Sequence, residues 1–439
     1  MASKHFDVLI IGGGVCGIST ARAIGRKYPT LKIGLLEKET QLVRHQSNRN
    51  SQVLHAGMYY KPGSYRARLN CEGKRKWHAY CAERGIHVED TGKLIIGLNE
   101  NDTPRLEELL YRAHTNGATE CEIVDQPTAQ KYAGRMFVAD PEARMLWSPY
   151  TATMDINHAN QELEKDLRDL HNVELMLGTG VKDVVNHTEN GVDLYVIDDY
   201  HGNMNMNCYL KTGRRVSARS VINCAGLYSD KIAKKLGMPW PYLSCLLKGY
   251  YMKDSLKNMR DDFPRPLLYP IPPEGTNNVV LGSHTTIGKD YVKVGPGAFP
   301  ALWRENYTGL SRFSLPEMIQ CLYFYSRMAA CPNRMTYFDI TYRQLANQSK
   351  HGLRHSIGQF LQFHDDECKG FEWYKPCMSN FLFESNGQMI HDFLFETHKS
   401  SLNVLNYNSP GWTSALATGE MIANEKLQLI MPDSLPNQN

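Results

Sequence analysis

Residues 7–37 constrain the fold more strongly than any other part of the chain. They begin with the apolar run 8–11 and pass through the glycine-rich turn 12–17, which is followed by a helical pattern and by a second apolar run that ends at Glu37. A short apolar run bounded by glycine is typical of a buried parallel strand. This order of strand, glycine turn, helix and strand predicts a βαβ unit that binds a dinucleotide.

The turn carries the spacing G-x-G-x-x-G, and each glycine of the motif has a physical role. Gly12 permits the tight turn, Gly14 lets a pyrophosphate approach the backbone, and Gly17 lets the helix pack closely on the strand. The N–H groups of the first helical turn favour phosphate. Glu37 can accept hydrogen bonds from ribose hydroxyls and repels a 2′-phosphate, which disfavours NADP. The motif alone does not distinguish NAD from FAD.

Composition limits the classes of protein that fit. A chain of 439 residues is long enough for about two to three domains, and 42% hydrophobic with 22% charged residues is typical of a globular protein. A net charge of +3 predicts neither a nucleic-acid nor a membrane-surface partner. No apolar run reaches the length of a transmembrane helix, and the short segment before the first strand predicts no signal or transit peptide. We therefore expect a cytoplasmic protein.

The cysteines do not form a recognisable framework. All eleven lie outside any C-x-x-C pair, which predicts neither a set of disulfides nor a zinc site. Several fall within apolar strand patterns and are expected to be reduced, buried thiols. No metal site is predicted.

Three further segments bear on the organisation of the chain. In 221–230 an apolar strand again runs into a small-residue turn and a helix, which predicts a second contact with one large cofactor. The polar segment 38–62 follows the first two strands, where open α/β sheets bind ligands. Segment 299–363 is predicted to be mostly helical, with its aromatic and aliphatic side chains in the core.

Several blocks together resemble, in the same order, the FAD-dependent oxidoreductases of the D-amino-acid oxidase superfamily, and most closely the L-2-hydroxyglutarate dehydrogenase family. The most specific block is 45–62, HQSNRNSQVLHAGMYYKP, which is similar to a segment of that family nearly throughout. The others are DVLIIGGGVCG, TGKLIIG, VINCAGLYSDKIA, LYPIPP, VVLGSHTT, VGPGA and NSPGWTSALATGEMIA. The resemblance spans nearly the whole chain.

This resemblance implies FAD rather than NAD, and an α/β fold. The expected architecture is a Rossmann-like FAD-binding domain of the glutathione-reductase type with an inserted α+β substrate domain on a mixed or antiparallel sheet. The FAD-binding domain is expected in residues 1–75, 150–244 and 372–439. The substrate-binding domain is expected in residues 76–149 and 245–371.

The resemblance also implies which residues hold FAD. The glycine motif and Glu37 would bind the ADP half, with a backbone contact from Val181 to adenine. Gly411 would lie at the pyrimidine end of the isoalloxazine, where a helix dipole stabilises negative charge. The implied cofactor-binding residues are Gly12, Gly14, Val15, Cys16, Gly17, Glu37, Lys38, His45, Gln46, Asn50, Ser51, Val181, Ala225, Gly226, Gly411, Trp412 and Thr413.

Two histidines are implied on the substrate side of the flavin. His284 matches a histidine of the family in that position, and His55 would border the ring. A histidine suits the base that removes the hydroxyl proton of the substrate because its ordinary pKa lies near the operating pH. We take His284 as the first candidate for the catalytic base and His55 as the second. The implied substrate-binding residues are Tyr60, Lys248, Tyr251 and Ser379.

The chain departs from the family where a substrate carboxylate would be held. The family motif Arg-Gly-Pro-Ala-Gly-Val-Arg falls on residues 373–379, which contain no arginine and end at Ser379. Lys248 replaces an arginine elsewhere, and Arg49 replaces a histidine. Loss of a bidentate arginine fork changes carboxylate recognition. Lys248, Lys375 and Arg49 are the candidate cationic anchors.

Three hypotheses for function follow. The first is an FAD-dependent dehydrogenase that oxidises a small 2-hydroxy acid, similar to L-2-hydroxyglutarate, to the 2-oxo acid by hydride transfer to flavin N5. The second is a flavin oxidase or dehydrogenase of an amine, an amino acid or glycerol phosphate. The third is a catalytically degenerate flavin-binding sensor or scaffold. The expected partners are a carboxylate substrate and an electron acceptor, which is oxygen, a quinone or an electron-transfer protein, and the resemblance makes a mitochondrial location the alternative to the cytoplasm.

Overall fold

The structure is a computed structural model. It describes residues 4–134, 136–198, 213–272, 282–331, 349–362 and 370–432, together with residues 342, 345, 347 and 435. Its elements are numbered in chain order.

The strands are β1 Lys4–Ile11, β2 Ile33–Leu36, β3 Val53–Leu54, β4 Val88–Glu89, β5 Lys93–Ile96, β6 Glu122–Asp125, β7 Arg144–Ser148, β8 Ala152–Met154, β9 Val173–Met176, β10 Gly180–Thr188, β11 Gly191–Ile197, β12 Arg214–Asn223, β13 Leu243–Ser255, β14 Leu267–Pro270, β15 His284–Ile287, β16 Tyr291–Pro300, β17 Glu372–Phe383, β18 Leu394–His398 and β19 Ser401–Leu405. The longer helices are α1 Val15–Lys27, α2 Tyr65–Arg84, α3 Thr103–Thr115, α4 Gln126–Ala133, α5 Ile156–Arg168, α6 Ser229–Lys235, α7 Leu315–Ala330, α8 Lys350–Gly358 and α9 Gly411–Met421.

The first sheet contains the predicted βαβ unit. Its strand order is β10-β11-β12-β1-β2-β9, and β19 and β18 extend it beside β12. β1 is parallel to both β2 and β12, and its residues Val8, Leu9 and Ile10 are fully buried. Helices on both faces of parallel strands explain why these strands are apolar throughout. The predicted Rossmann-like arrangement is confirmed.

Two larger sheets and a small one make up the rest of the described strands. The order β15-β16-β13-β17 is antiparallel throughout. The order β14-β5-β7-β6 is mixed, because β14 runs parallel to β5. β3, β8 and β4 form a short third group. The predicted α+β region on mixed and antiparallel sheets is therefore present.

Strand β17 departs from the division of the chain that the sequence suggested. Residues 372–383 were assigned to the FAD-binding domain, but this strand pairs with β13 from Leu243 to Lys253 and so extends the second sheet. The sequence predicts a strand only near residues 381–384, and it does not show which strand that segment pairs with. The division into two domains stays a proposal, and we now place 372–383 with the substrate-binding part.

The helical prediction for segment 299–363 holds for part of its described residues. β16 continues to Pro300 and residues 301–314 contain no helix, whereas α7, α8 and residues 342 and 345 are helical. Most of residues 332–348, and residue 363, lie outside the described residues. The predicted strand 279–284 falls mostly outside the described residues, and β15 begins at its last position. Within the described ranges, no helix is both long enough and apolar enough to cross a membrane.

Candidate active site

One continuous cavity of about 390 Å³ lies between the first and second sheets. This volume is in the range of small-molecule and cofactor sites. Its lining includes the glycine turn after β1, the loop 44–55, the turn after β12, and the start of α9. The cavity therefore lies at the carboxyl ends of the parallel strands, where α/β sheets bind ligands.

Most of the residues predicted for the site line this cavity. They are Gly12, Gly14, Val15, Cys16, Glu37, Lys38, His45, Gln46, Asn50, Ser51, His55, Val181, Ala225, Gly226, Tyr251, His284, Ser379, Gly411, Trp412 and Thr413. Gly17, Tyr60 and Lys248 are not among the lining residues. The site assignments themselves stay predictions.

The glycines of the turn stand where a side chain would either clash with the backbone or project toward the cavity. A Cβ at Gly12 would lie 2.4 Å from the carbonyl oxygen of Cys224, and one at Gly17 would lie 2.0 Å from that of Gly12. At Gly14 the nearest atom would be the Ser47 hydroxyl, 3.2 Å away. Gly12 and Gly17 thus allow close packing of backbone, while Gly14 faces the cavity.

Glu37 is held in place by the backbone at the end of β2. Its carboxylate accepts hydrogen bonds from the N–H of Gly13 at 2.7 Å and of Glu39 at 2.8 Å. Because each carboxylate oxygen has a second lone pair, the group can still accept from a ribose diol. This geometry fits the adenosine half of a dinucleotide.

Lys38 and His45 belong to an ion-pair network with the loop after β16. Lys38 pairs with Glu39 and with Glu305, the latter at 2.7 Å. His45 contacts Glu39 at 3.0 Å, and Arg312 joins both carboxylates. Glu39, His45 and Glu305 are close enough together to hold a metal ion. Two cations already neutralise the carboxylates, so the cluster is better described as an ion-pair network.

The N-terminus of α9 points into the opposite part of the cavity. The Trp412 indole donates to the Ser47 carbonyl at 2.7 Å, and the Trp77 indole donates to the Trp412 carbonyl at 3.0 Å. The Thr413 hydroxyl donates to Val53 at 3.2 Å. These bonds fix the first turn of the helix, whose unpaired N–H groups carry a partial positive charge.

His284 is a buried, neutral imidazole at this part of the cavity. Its Nδ1 lies 2.9 Å from the carbonyl oxygen of Gly282. Since a carbonyl only accepts, Nδ1 carries the proton and Nε2 keeps its lone pair. Burial lowers the pKa of His284 to about 3. The ring stacks on Tyr269 with centroids 3.7 Å apart and a 15° angle between planes.

His55 lies in the same region and is also buried. Burial first, and then the positive charge of Lys93, lower its pKa well below the ordinary value. Its Nε2 is 3.5 Å from the Ser409 hydroxyl, and its Nδ1 has no partner among the described residues. His55 and His284 therefore both present neutral rings at neutral pH.

The predicted substrate residues divide into two groups. Tyr251 and Ser379 line the cavity, and the Ser379 hydroxyl accepts from Gln46 at 3.3 Å. Lys248 instead donates to Asn306 at 3.2 Å. Tyr60 is buried outside the lining and interacts with Ser409. Sequence reasoning expected all four at the substrate, and the structure brings two of them to the cavity.

Several residues of the site were missed from the sequence. Ser47 accepts the N–H of Val15 at 3.0 Å, and Tyr269 stacks on the candidate base. A Cβ at Gly73, within α2, would lie 2.1 Å from the Thr413 carbonyl. A glycine inside a long helical pattern was the available signal for Gly73. Ser47 lies in the polar segment 38–62 that was expected near a ligand, although it was not assigned to the cofactor, and Tyr269 gave no comparable signal.

Comparisons with known proteins were made for the whole chain. The model of the family described as FAD dependent oxidoreductase matches residues 7–358. The chain is 27% identical to a mitochondrial L-2-hydroxyglutarate dehydrogenase of Pongo abelii, over 97% of this chain and 88% of that protein. It is 30% identical to the Caenorhabditis briggsae protein of the same name, over 96% and 93%. An Escherichia coli L-2-hydroxyglutarate dehydrogenase is 27% identical over 99% and 96%.

Solved structures with the same fold include two oxidases. The FAD-bound L-alpha-glycerophosphate oxidase of Mycoplasma pneumoniae superposes with a TM-score of 0.71 at 18% identity, covering 99% of this chain and 97% of that one. Glycine oxidase of Geobacillus kaustophilus gives a TM-score of 0.66 at 13% identity, with both chains covered completely. At these identities the likeness concerns the fold alone.

Proposed function

The chain belongs to the family of FAD-dependent oxidoreductases, and from this premise we propose that it oxidises a small 2-hydroxy acid of the L-2-hydroxyglutarate kind to the 2-oxo acid. The relatives that carry the L-2-hydroxyglutarate dehydrogenase name match over nearly their full length. The observation that carries the proposal is His284, a neutral imidazole with an unprotonated Nε2, which lines the same cavity as the start of α9.

FAD is the cofactor, and the cavity fits it. The open face of Gly14 and the carboxylate of Glu37 suit the ADP half. The start of α9 and His55 Nδ1, which has no partner among the described residues, suit a polar ring system. The chemistry that bound FAD supplies is two-electron acceptance, with the C2 hydrogen leaving the substrate as a hydride.

The proton of the substrate hydroxyl goes to the protein. Loss of the C2 hydride and of the hydroxyl proton together convert the alcohol to a carbonyl, so a base must accept that proton. Nε2 of His284 is the acceptor we propose. Burial keeps this ring unprotonated before substrate enters. A bound carboxylate favours the imidazolium and so raises the basicity of His284 in the complex.

Arg49 is the cationic anchor that we propose for a substrate carboxylate. It lines the cavity, donates to the Pro376 carbonyl at 3.2 Å and stacks over Tyr307 at 4.1 Å. The bond to Pro376 brings a guanidinium to the middle of segment 373–379, from which the family arginines are missing. Lys248 is turned toward Asn306, and Lys375 is exposed outside the lining.

We expect Arg49→Gln to raise KM for a dicarboxylate substrate by about tenfold or more while kcat changes little, because the anchor binds ground and transition states alike. Steady-state kinetics at fixed ionic strength would measure both constants. Lys375→Gln is the matched control and is expected to leave KM unchanged. A larger rise of KM in the Lys375 variant than in the Arg49 variant would contradict this assignment.

The proposed function is tested by an anaerobic screen of 2-hydroxy acids, 2-amino acids and glycerol phosphate that follows bleaching of the flavin absorbance. We expect L-2-hydroxyglutarate to reduce the flavin fastest and its D-isomer to fail. Reduction by an amino acid or by glycerol phosphate alone would support the amine or glycerol-phosphate alternative. A flavin that no compound reduces would support a sensor or scaffold.

We also propose a cytoplasmic location and an electron acceptor that is oxygen, a quinone or an electron-transfer protein. Relatives include proteins named as mitochondrial and proteins from bacteria. Reoxidation of the reduced enzyme by air, compared with reoxidation by a soluble quinone, would separate the first two acceptors.

A further inference from the structure

Lys93, the first residue of β5, is an unexpected charge in the interior of the protein. Its side chain is fully buried, and its ammonium has no hydrogen-bond partner in the part of the chain that the structure describes. Among the residues that the structure describes, none forms an ion pair with it. Burial of an unpaired ammonium is strongly unfavourable. A position that tolerates such a charge calls for a functional reason.

The surroundings of Lys93 connect it to the candidate active site. Its Nζ lies 4.3 Å from the ring centre of Tyr269 and 4.8 Å from that of Tyr59. Tyr269 carries His284 stacked at 3.7 Å, and both of these residues line the cavity. The parallel register of β14 on β5 pairs Leu267 with Lys93 and Ile95 with Tyr269, which puts Lys93 and Tyr269 on one face of the sheet. The ammonium is therefore separated from the cavity by one aromatic ring.

The titratable groups around Lys93 offer it no negative charge at neutral pH. Burial raises the pKa of the Tyr59 and Tyr269 phenols and of the Cys121 thiol, so all three stay neutral. His55 and His284 are neutral as well. Lys74 of α2 adds a like charge, and Ser148 of β7 faces Lys93 across the sheet. Burial first, and Lys74 as well, lower the pKa of Lys93 to about 7.

We propose that Lys93 is a positioning residue that supplies the counter-charge for the carboxylate of the substrate across the Tyr269 ring. It does not touch the substrate. In a low-dielectric interior a charge still acts strongly across one aromatic ring, whereas water would screen it. An arriving anion compensates the buried ammonium, and the complex thus provides the missing partner. This role rests on the proposed function only because it requires the substrate to be an anion.

Binding of the anion and protonation of Lys93 are then thermodynamically linked, so the affinity for the anion depends on pH. An anion near the ammonium raises the pKa of Lys93 above its value of about 7 in the free enzyme. Affinity is therefore fully present below pH 7 and is lost as the pH rises toward the pKa in the complex. One proton is taken up per anion bound in that range.

The test uses the oxidised holoenzyme and glutarate, a dicarboxylate without the hydroxyl that would be oxidised. Its Kd is measured from pH 6 to 9 through the change in flavin absorbance. We expect Kd to be constant below pH 7 and to rise by about tenfold per pH unit above it. Lys93→Met is expected to weaken binding by about tenfold or more at pH 6 and to remove the pH dependence. Lys93→Arg is expected to restore tight binding at every pH.

Two lysines serve as controls. Lys293 is also buried, and burial lowers its pKa to about 7. Its ammonium lies over the rings of Tyr291 and Tyr374 and not over that of Tyr269. Lys74 has a pKa lowered to about 8 and titrates in the same range. Lys293→Met is expected to keep the wild-type dependence on pH. Lys74→Met removes a like charge that lowers the pKa of Lys93, so it is expected to keep the dependence but to move the rise of Kd to higher pH.

Three results would overturn the proposal: wild-type enzyme that does not bind glutarate, affinity that does not vary between pH 6 and 9, or a Lys93→Met variant with wild-type affinity and pH dependence. If Lys93→Met does not retain FAD, the wild-type curve and Lys93→Arg decide the question. Failure of the proposed function is recognised separately, because it would appear as a lack of flavin reduction by any 2-hydroxy acid while glutarate binding still depended on Lys93.

Discussion

At the scale of single residues, His284 is defined by one hydrogen bond and by its burial. The bond from Nδ1 to the Gly282 carbonyl leaves Nε2 as the acceptor, and burial removes the competing imidazolium. We expect His284→Gln to lower kcat by about 10²- to 10⁴-fold, the usual contribution of a general base, while the visible spectrum shows that FAD remains bound.

His187→Gln is the control for this variant. His187 also bonds a backbone carbonyl, that of Leu236 at 2.7 Å, but it lies outside the cavity. The pH profile gives a second check. Because the pKa of His284 is lowered to about 3, kcat/KM should stay flat from pH 7 down to 5, whereas a base with an ordinary histidine pKa would lose activity there. A decline centred near pH 6.5 would contradict the assignment.

Lys93 also makes a prediction about stability. Its pKa is about 7 in the folded protein and near 10.4 in an unfolded chain. The folded state is therefore penalised below pH 7, and the penalty disappears as the pH rises past about 10. We expect Lys93→Met to increase the free energy of unfolding by about 1–4 kcal/mol at pH 6, and by less at pH 10. Denaturant unfolding at both pH values measures this free energy. A Lys93→Met variant that is less stable than wild type at pH 6 would contradict the prediction.

At the scale of elements, α9 is held against its neighbours by glycines. A Cβ at Gly73 of α2 would lie 2.1 Å from the Thr413 carbonyl, and one at Gly419 of α9 would lie 2.3 Å from the Ser19 carbonyl of α1. Backbone therefore meets backbone on both sides of α9. This close packing positions the first turn of the helix at the cavity.

We expect Gly73→Ala to weaken FAD binding and to destabilise the protein by about 1–3 kcal/mol, because the added methyl group forces α2 and α9 apart. Thermal unfolding and the FAD dissociation constant would measure these effects. Gly358 ends α8 and has no atom within 4 Å of a Cβ position. Gly358→Ala is thus the control, with a change within about 1 kcal/mol. Equal effects of the two substitutions would refute the role given to Gly73.

The elements also show how far the sequence could lead. The βαβ unit of 7–37 was predictable because its glycine spacing and its strands are local. The partner of β17 was not, since Ser379 pairs with Leu247 more than a hundred residues away. The same holds for Lys93. Its burial depends on Tyr59 and Tyr269, which only the fold brings together. Local motifs were enough to predict a dinucleotide cofactor. The residues proposed for the substrate side come together only through packing between distant parts of the chain.

At the scale of the whole molecule, Arg304 joins the two sides of the cavity. Its guanidinium bonds Asp230 of α6 at 2.6 Å and Glu317 of α7 at 3.3 Å, and it donates to the carbonyl of Leu227 at 2.8 Å. Leu227 lines the cavity. Arg304, Asp230 and Glu317 are all buried. Arg304 thereby connects the turn after β12 to α7, the helix that follows β16.

Loss of this network should lower the free energy of unfolding by more than loss of a surface ion pair does. Arg304→Met would leave the charges of Asp230 and Glu317 buried with one partner fewer, and we expect a loss of about 3–5 kcal/mol in the free energy of unfolding at pH 7. Arg168→Gln, which removes an exposed pair with Glu164, is the control and should change the free energy of unfolding by less than about 1 kcal/mol.

The pH dependence of this effect follows from Glu317. Burial opposes ionisation of Glu317, but Arg304 and Lys231 outweigh burial and hold the pKa of Glu317 below the ordinary value. The stability that this carboxylate contributes is present above its unfolded-state pKa, near 4.3, and is lost as the pH falls through the folded-state value. The difference between wild type and Arg304→Met in denaturant unfolding should therefore be largest near neutral pH and narrow below about pH 4.5. A difference that did not change with pH would show that Arg304 acts through packing alone.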